Sequence, residues 1–336
     1  MRRVLLVSSA LALASCGGES GGGGATASVP VVGGATPTPT PPVTSPSPAP
    51  TPYPTYAQLT GDQSFKTGCA ALSYDFSPPL AVPVSPFGTG LTLGYTASTQ
   101  TYVVTPDPRN TGLFGTQARS FGPADRDPAA PPTATAYLRT TNGFIERLAI
   151  GSNGAGGGTP DYVRGFSLRV PLNGTTSINL PAAQYFCIFG VPTRLDDLPA
   201  TSPIYTRGGL NGSATNYPFG APESYAINQS QVTFTVDLST GRVAATIHML
   251  GALVTSAGTS ATLVDLGTYS GAGTISSSGY FSGQITSPNR QIRDATFAGW
   301  FFGPQASEAA FSIGFDSLDQ TNGRHIIFLG NALALK

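Results

Sequence analysis

The chain has 336 residues, 17 basic and 17 acidic side chains, and a formal net charge of zero. Only 10% of its residues are charged and its lysines are Lys66 and Lys336, which excludes a basic stripe for nucleic acid and a polybasic patch for anionic lipid. Glycine (42) and proline (30) are both high, and abundant Gly, Ser and Thr with sparse charge point to a periplasmic or extracellular β protein, not a cytosolic enzyme.

Residues 1–15 read as a secretory signal peptide. Arg2 and Arg3 supply the positive start, and Val4 to Ala14 is apolar but spans only half of the ~20 residues a membrane-crossing helix needs. Leu13-Ala14-Ser15-Cys16 is similar to a bacterial lipobox. That likeness implies cleavage before Cys16 and acylation of its thiol and amine. Gly17, where Asp would favour retention in the inner membrane, implies the outer membrane. Several acyl chains anchor stably where one is marginal. Loss of Arg2 and Arg3 with the leader leaves the mature chain slightly acidic.

Residues 16–55 are a low-complexity tether. Gly21 to Gly24 is flexible, and "TPTPTPPVTSPSPAPTPYP" favours an extended polyproline-like spacer. At ~3.1 Å per residue it reaches on the order of 60–70 Å, enough to hold a folded part clear of a membrane.

With Cys16 spent on lipid, Cys69 and Cys187 remain in a chain bound for an oxidising compartment. One disulfide is the simplest pairing, with two buried free thiols as the alternative. The bond would close a long loop, worth roughly 4–5 kcal/mol in the chain-entropy model.

The rest reads as all-β: a handle-like domain over residues 56–220 and a barrel domain over 221–336, with a soft boundary near Gly220-Ala221-Pro222. "GLTLGYTASTQTYVV" and "DYVRGFSLRVPL" alternate between turn residues. "TRLDDLPA" is expected to form one short helical turn. "SQVTFTVDLSTGRVAATIHML" is a hairpin, with Val232, Phe234, Val236 and Leu238 on one face and Ser239-Thr240-Gly241 at the turn. The last 115 or so residues suit eight antiparallel strands closed on themselves, which abolishes sheet edges and leaves an interior that side chains fill.

"TFAGWFFGPQASEAAFSIGF" carries aromatics on both strand faces. Phe297 and Phe301 point one way, and Ala298, Trp300 and Phe302 the other, so both faces need apolar partners. Gly299 between large rings admits a close neighbour, and Gly303-Pro304 ends the strand. Gly299, Phe301, Phe302, Gly303, Pro304, Ala306 and Glu308 together resemble the barrel signature of the transferrin-binding-protein-B-like surface lipoproteins. Ala309-Ala310 departs from that pattern, in which glycine is commoner. The likeness covers about the last 110 residues and implies a single handle-and-barrel lobe. It also implies capture of a macromolecule, haem or an iron carrier, followed by hand-over to a membrane transporter such as a TonB-dependent receptor. A structural or adhesive surface lipoprotein is the alternative, and a lipid-modifying barrel enzyme stands behind both. No catalytic, cofactor or metal site is assigned.

Several single residues compete with that reading. Glu308 reads as a carboxylate accepting backbone N–H bonds at its own turn, or as a partner of Arg290 or Arg293, before it reads as a general acid. His248 and His325 are candidate haem or metal ligands, but Met249 faces away from His248 on a strand. "GSNGAGGGTP" reads as a flexible loop without the lysine of a phosphate loop. Asn173, Asn211 and Asn228 sit in formal sequons that read as plain turns, and Asp196-Asp197 reads as an exposed acidic turn. Tyr205, Tyr217 and Phe219 form a candidate binding patch on the handle, with ordinary packing as the alternative.

Overall fold

A computed structural model describes residues 53–336 apart from 74–79, 83, 107–116, 133, 142–143, 152–157, 172–181, 218–221, 321–322 and 324. The signal peptide, Cys16, nearly all of the tether, Asn173 and Phe219 lie outside the described residues. The described residues are strands joined by turns and short 3-10 segments, an all-β protein as the alternating sequence requires.

The first ten strands are β1 (Gln63–Lys66), β2 (Gly68–Ser73), β3 (Leu80–Val82), β4 (Thr92–Thr96) and β5 (Thr101–Thr105), then β6 (Arg119–Phe121), β7 (Thr135–Thr141), β8 (Phe144–Gly151), β9 (Val163–Pro171) and β10 (Ala182–Gly190). They form a four-stranded sheet, β1-β4-β5-β6, and a six-stranded sheet, β3-β2-β10-β9-β8-β7. Phe65, Leu93, Val104, Phe121, Leu148 and Leu168 fill a shared core, because alternate residues of each strand face it. Cys69 and Cys187 are directly opposed on β2 and β10 and are disulfide-bonded across a sequence separation of 118. Glu146, fully buried on β8, ties the sheets together. It accepts from Arg139 Nε of β7 at 2.9 Å and lies 3.6 Å from Arg119 Nε of β6. "TRLDDLPA" gives a single 3-10 turn at Leu195–Asp197.

Eight further strands follow: β11 (Arg207–Tyr217), β12 (Glu223–Asp237), β13 (Arg242–Thr255), β14 (Gly258–Ile275), β15 (Phe281–Thr286), β16 (Gln291–Phe302), β17 (Glu308–Leu318) and β18 (His325–Leu335). They close into a barrel in chain order, with β18 pairing back onto β11 from Arg207↔Leu335 to Tyr217↔His325. The β12–β13 hairpin matches its pattern: Val232, Phe234 and Val236 are buried, and Gly241 turns the chain with φ +64°.

The barrel starts earlier than the boundary at Gly220 read from the sequence. Its first strand is β11, "RGGLNGSATNY", whose small residues carry no hydrophobic alternation. A β-carbon at Gly212 would come within 2.8 Å of the Gly330 backbone, so this strand trades side chains for close approach to β18. Asn211 and Asn228 lie within β11 and β12, so these two sequons are strand positions and not turns.

Rings occupy the barrel interior. Phe234 packs on Phe281 and Phe311 with centroids 5.1 Å apart, Phe281 on Phe301 at 5.1 Å, and Phe315 on Tyr269 at 4.4 Å. Thr233, Thr235, Asp237, Arg242 and Thr246 face outward, where a lipid-facing barrel would carry an apolar band.

Thr51–Lys336 forms one compact unit. Strands β2, β3 and β10 of the six-stranded sheet pack on β17 and β18 of the barrel. Ala70, Leu72 and Phe186 meet Ala298, Ile327 and Leu329, while Val163 and Ile188 meet Phe302, Ala310 and Leu333.

Candidate functional site at the seam of handle and barrel

The β16–β17 connection is the most specific feature of the sequence, and its residues converge on the seam. Phe297 and Phe301 enter the barrel core, whereas Ala298, Trp300 and Phe302 face the handle. Both faces of residues 297–302 of β16 are therefore packed, one into the barrel interior and one against the handle. Trp300 stacks on Phe87 of the handle at 5.4 Å, and its Nε1 donates to Thr193 O at 3.4 Å. Gly299 lies under the inward rings: a β-carbon there would sit 2.6 Å from Phe281 Cζ.

Gly303 ends β16 with φ +70°, and a β-carbon on it would strike Ser307 Oγ and the Tyr162 ring. Its N–H donates to Val191 O at 3.0 Å, and Thr193 Oγ1 donates to Gly303 O at 2.6 Å. Gln305 and Ala306 follow with φ of 52° and 50°, a left-handed pair without glycine. Asp197 and Tyr205 hold them. Gln305 N and Nε2 donate to the Asp197 carboxylate at 3.1 and 2.5 Å, and Tyr205 OH donates to Ala306 O at 3.0 Å. Desolvation pushes the Asp197 carboxyl up, but the bonds from Gln305 and Tyr53 and the Arg194 charge together hold the group below its ordinary range. Asp197 is thus a brace for the turn, which a reading of Asp196-Asp197 as a plain acidic turn misses.

Glu308 opens β17 and is 5% exposed. Its Oε1 accepts from Asp161 N at 2.5 Å, and its Oε2 accepts from Tyr162 N at 3.0 Å and Val163 N at 2.9 Å. The donors belong to the handle, at the entry to β9. The sequence reading placed them at Glu308's own turn, or put Arg290 or Arg293 beside it; the structure corrects both. Arg290 lies 3.7 Å from Asp319, and Arg293 is paired with Asp316 in the β16–β17 register, far from the Phe302↔Glu308 end of that pair. Burial pushes the Glu308 carboxyl up, and the three N–H bonds pull against that shift.

Two fully buried polar groups complete the seam. Ser312 Oγ donates to Gly68 O at 2.8 Å, and Asn331 Nδ2 donates to Cys187 O at 3.0 Å. Both acceptors lie on the strand pair that the disulfide joins.

The remaining candidates are scattered. Tyr205 belongs to the barrel core beside Phe234, and Tyr217 packs at the seam 6.1 Å from His325, so they form no exposed handle patch. His248 is exposed and sits 3.2 Å from Asp265, whereas Met249 is buried in the core. His325 contacts Asp316 at the barrel rim. Among the described residues the histidines share no site with each other or with a cysteine. Most of "GSNGAGGGTP" lies outside the described residues.

The class defined by these features is an all-β handle docked on a filled eight-stranded barrel. No family model matches the chain, and no curated protein matches it. Among solved structures it is similar to transferrin binding protein B of Haemophilus parasuis, at 13% identity and TM-score 0.41, over 80% of this chain and 45% of that one. Transferrin binding protein B of serogroup B Neisseria meningitidis gives 15% identity and TM-score 0.38, over 80% and 43%. A protein of unknown function from the DUF3598 family of Nostoc punctiforme gives 9% identity and TM-score 0.21, over 83% and 97%. The chain spans less than half the length of these two transferrin binding proteins.

Proposed function

We propose that this protein is a lipid-anchored outer-membrane binding protein that works by capture and not by catalysis. Cys16 carries the acyl chains, and residues 16–55 hold the folded unit away from the bilayer. The ligand is a macromolecule, haem or an iron carrier, with iron-carrying proteins of the transferrin kind among the first to test. A TonB-dependent receptor is the expected recipient.

The observation that carries this reading is the use made of Glu308. In an enzyme, a buried carboxylate with a raised pKa is a candidate acid. Here both oxygens are consumed by three handle N–H groups, so the group fastens one domain to the other. The aromatic filling of the barrel supports the same reading: a filled barrel is a pedestal, and recognition falls to outer surfaces.

The test has two arms. Fractionation and acyl labelling of cells expressing the wild type and Cys16→Ser should give an outer-membrane lipoprotein and an unlabelled, released variant. Calorimetry of the purified chain against haem, iron carriers and iron-binding proteins should give saturable binding of one of them. Labelling without any binding points to the structural or adhesive alternative, and turnover of a lipid substrate would replace capture with catalysis.

A further inference from the structure

On the six-stranded sheet, Arg147 of β8 and Arg169 of β9 are directly opposed partners in the antiparallel register. Partners of this kind share a face with their β-carbons about 5 Å apart, and like charges so placed repel. Both side chains are exposed, Arg147 by 58%. The flanking positions in the same row are Leu138 and Gln184, neither of which is an acid. Among the described residues one carboxylate touches the pair: Asp127 Oδ2 lies 3.7 Å from Arg147, beyond hydrogen-bond reach. Arg169 rests on the Phe144 ring at 5.6 Å, a contact that uses none of its N–H donors. Arg147, Arg169 and Asp127 together carry one net positive charge, and among the described residues no carboxylate forms a hydrogen bond with either guanidinium.

This pair stands at the rim of a cleft. Ala149 and Ser167, two residues along each strand on the same face, line a space of about 140 Å³ between sheet and barrel. Phe186 of the same sheet, directly opposite Ser167, and Asn211 and Asn331 of the barrel also line it, and among the described residues no charged side chain does. Packing of the sheet on the barrel runs mainly through β2, β3 and β10, with the start of β9 at Val163 also reaching the barrel; Arg169 lies six residues further along β9, and Arg147 lies on β8, the next strand out.

We infer that Arg147 and Arg169 form an oxyanion site that takes a phosphate group, with the neutral polar remainder of the ligand directed toward Ser167 and the cleft. A planar fork with five donors matches phosphate oxygens, and two opposed forks bracket one dianion. The bound anion removes the repulsion that the pair otherwise suffers. This inference goes beyond the capture reading and does not depend on it. Its phosphate can come from a soluble ester or from a lipid headgroup.

The experiment uses the full chain with Cys16→Ser, so that no acyl chain carries it to a membrane. Thermal melts and calorimetry are run with pyrophosphate against sodium chloride at matched ionic strength. Flotation is run with phosphatidic acid vesicles against phosphatidylcholine vesicles. The wild-type site should bind pyrophosphate, the acidic vesicles or both, and binding to vesicles alone assigns the headgroup source. Arg169→Gln should weaken binding about tenfold or more, the loss expected for hydrogen bonds to a charged group. Without phosphate, the same variant should melt no lower than the wild type, because it relieves the opposed charges. Arg147→Gln is the second variant, and should weaken binding in the same way. Binding of neither probe, or equal binding by wild type and both variants, overturns the site.

Discussion

Glu308 Oε2 accepts the backbone N–H of Val163 at 2.9 Å, across 145 residues of chain and from the barrel to the six-stranded sheet. With the bonds from Asp161 and Tyr162 it satisfies three successive N–H groups at the start of β9. Without the carboxylate the buried Val163 N–H and the partly buried N–H groups of Asp161 and Tyr162 would lose this acceptor. Glu308→Ala is expected to cost about 2–4 kcal/mol in urea unfolding, the range for stranding buried donors that served a charged acceptor.

The same carboxylate sets a pH dependence. Its folded pKa is raised above the usual carboxylate value, chiefly by burial. A raised folded pKa means that the neutral form is favoured on folding. The contribution to stability is therefore fully present below the unfolded pKa and is lost as pH rises through the folded one. Urea midpoints of wild type and Glu308→Gln across the acid range should show the wild type losing ground to the variant as pH climbs from below about 4.3. A difference that moves the other way would mean that the three N–H bonds dominate burial.

Gly303→Ala should open the seam. Its φ of +70° penalises a side chain, and the added carbon meets Ser307 Oγ and the Tyr162 ring. Left-handed strain and overpacking together amount to about 2–4 kcal/mol. Limited proteolysis is the readout: cleavage should rise around Tyr162 and Thr193 while the barrel strands stay protected.

Loss of the disulfide should act on the handle and its docking. Cys69 and Cys187 join the two strands whose carbonyls accept from Ser312 and Asn331. Replacing both cysteines by serine is expected to cost about 2–5 kcal/mol. Calorimetry should show the handle transition separating from, and preceding, that of the barrel.

Phe311 touches Phe234, Phe281 and Phe297 inside the barrel and is fully buried. Phe311→Ala should cost about 3–5 kcal/mol by chemical denaturation, the usual loss for a core ring. A far smaller cost would mean that the interior is not the filled core described above.

The sequence showed some of this and hid the rest, for physical reasons. Residues 297–302 put aromatics on both faces of one strand, and both are buried: one in the barrel, one under the handle. The β12–β13 hairpin was legible because alternation and a left-handed glycine are local signals. Strand β11 was not, since glycines that let backbones meet leave no hydrophobic period. The donors to Glu308 were not legible either. A carboxylate beside a turn predicts N–H partners, but only the fold brings Asp161 to Val163 within reach. Tyr205 looked like a surface aromatic because its bond to Ala306 O depends on the same convergence.

Native mass spectrometry of the protein drawn from its own host's membrane reads the acyl anchor and the captured partner together. The expected result is a chain beginning at Cys16, heavier by its acyl chains, that carries a non-covalent partner released on activation. An unacylated chain that retains Met1 and flies without any partner would contradict it.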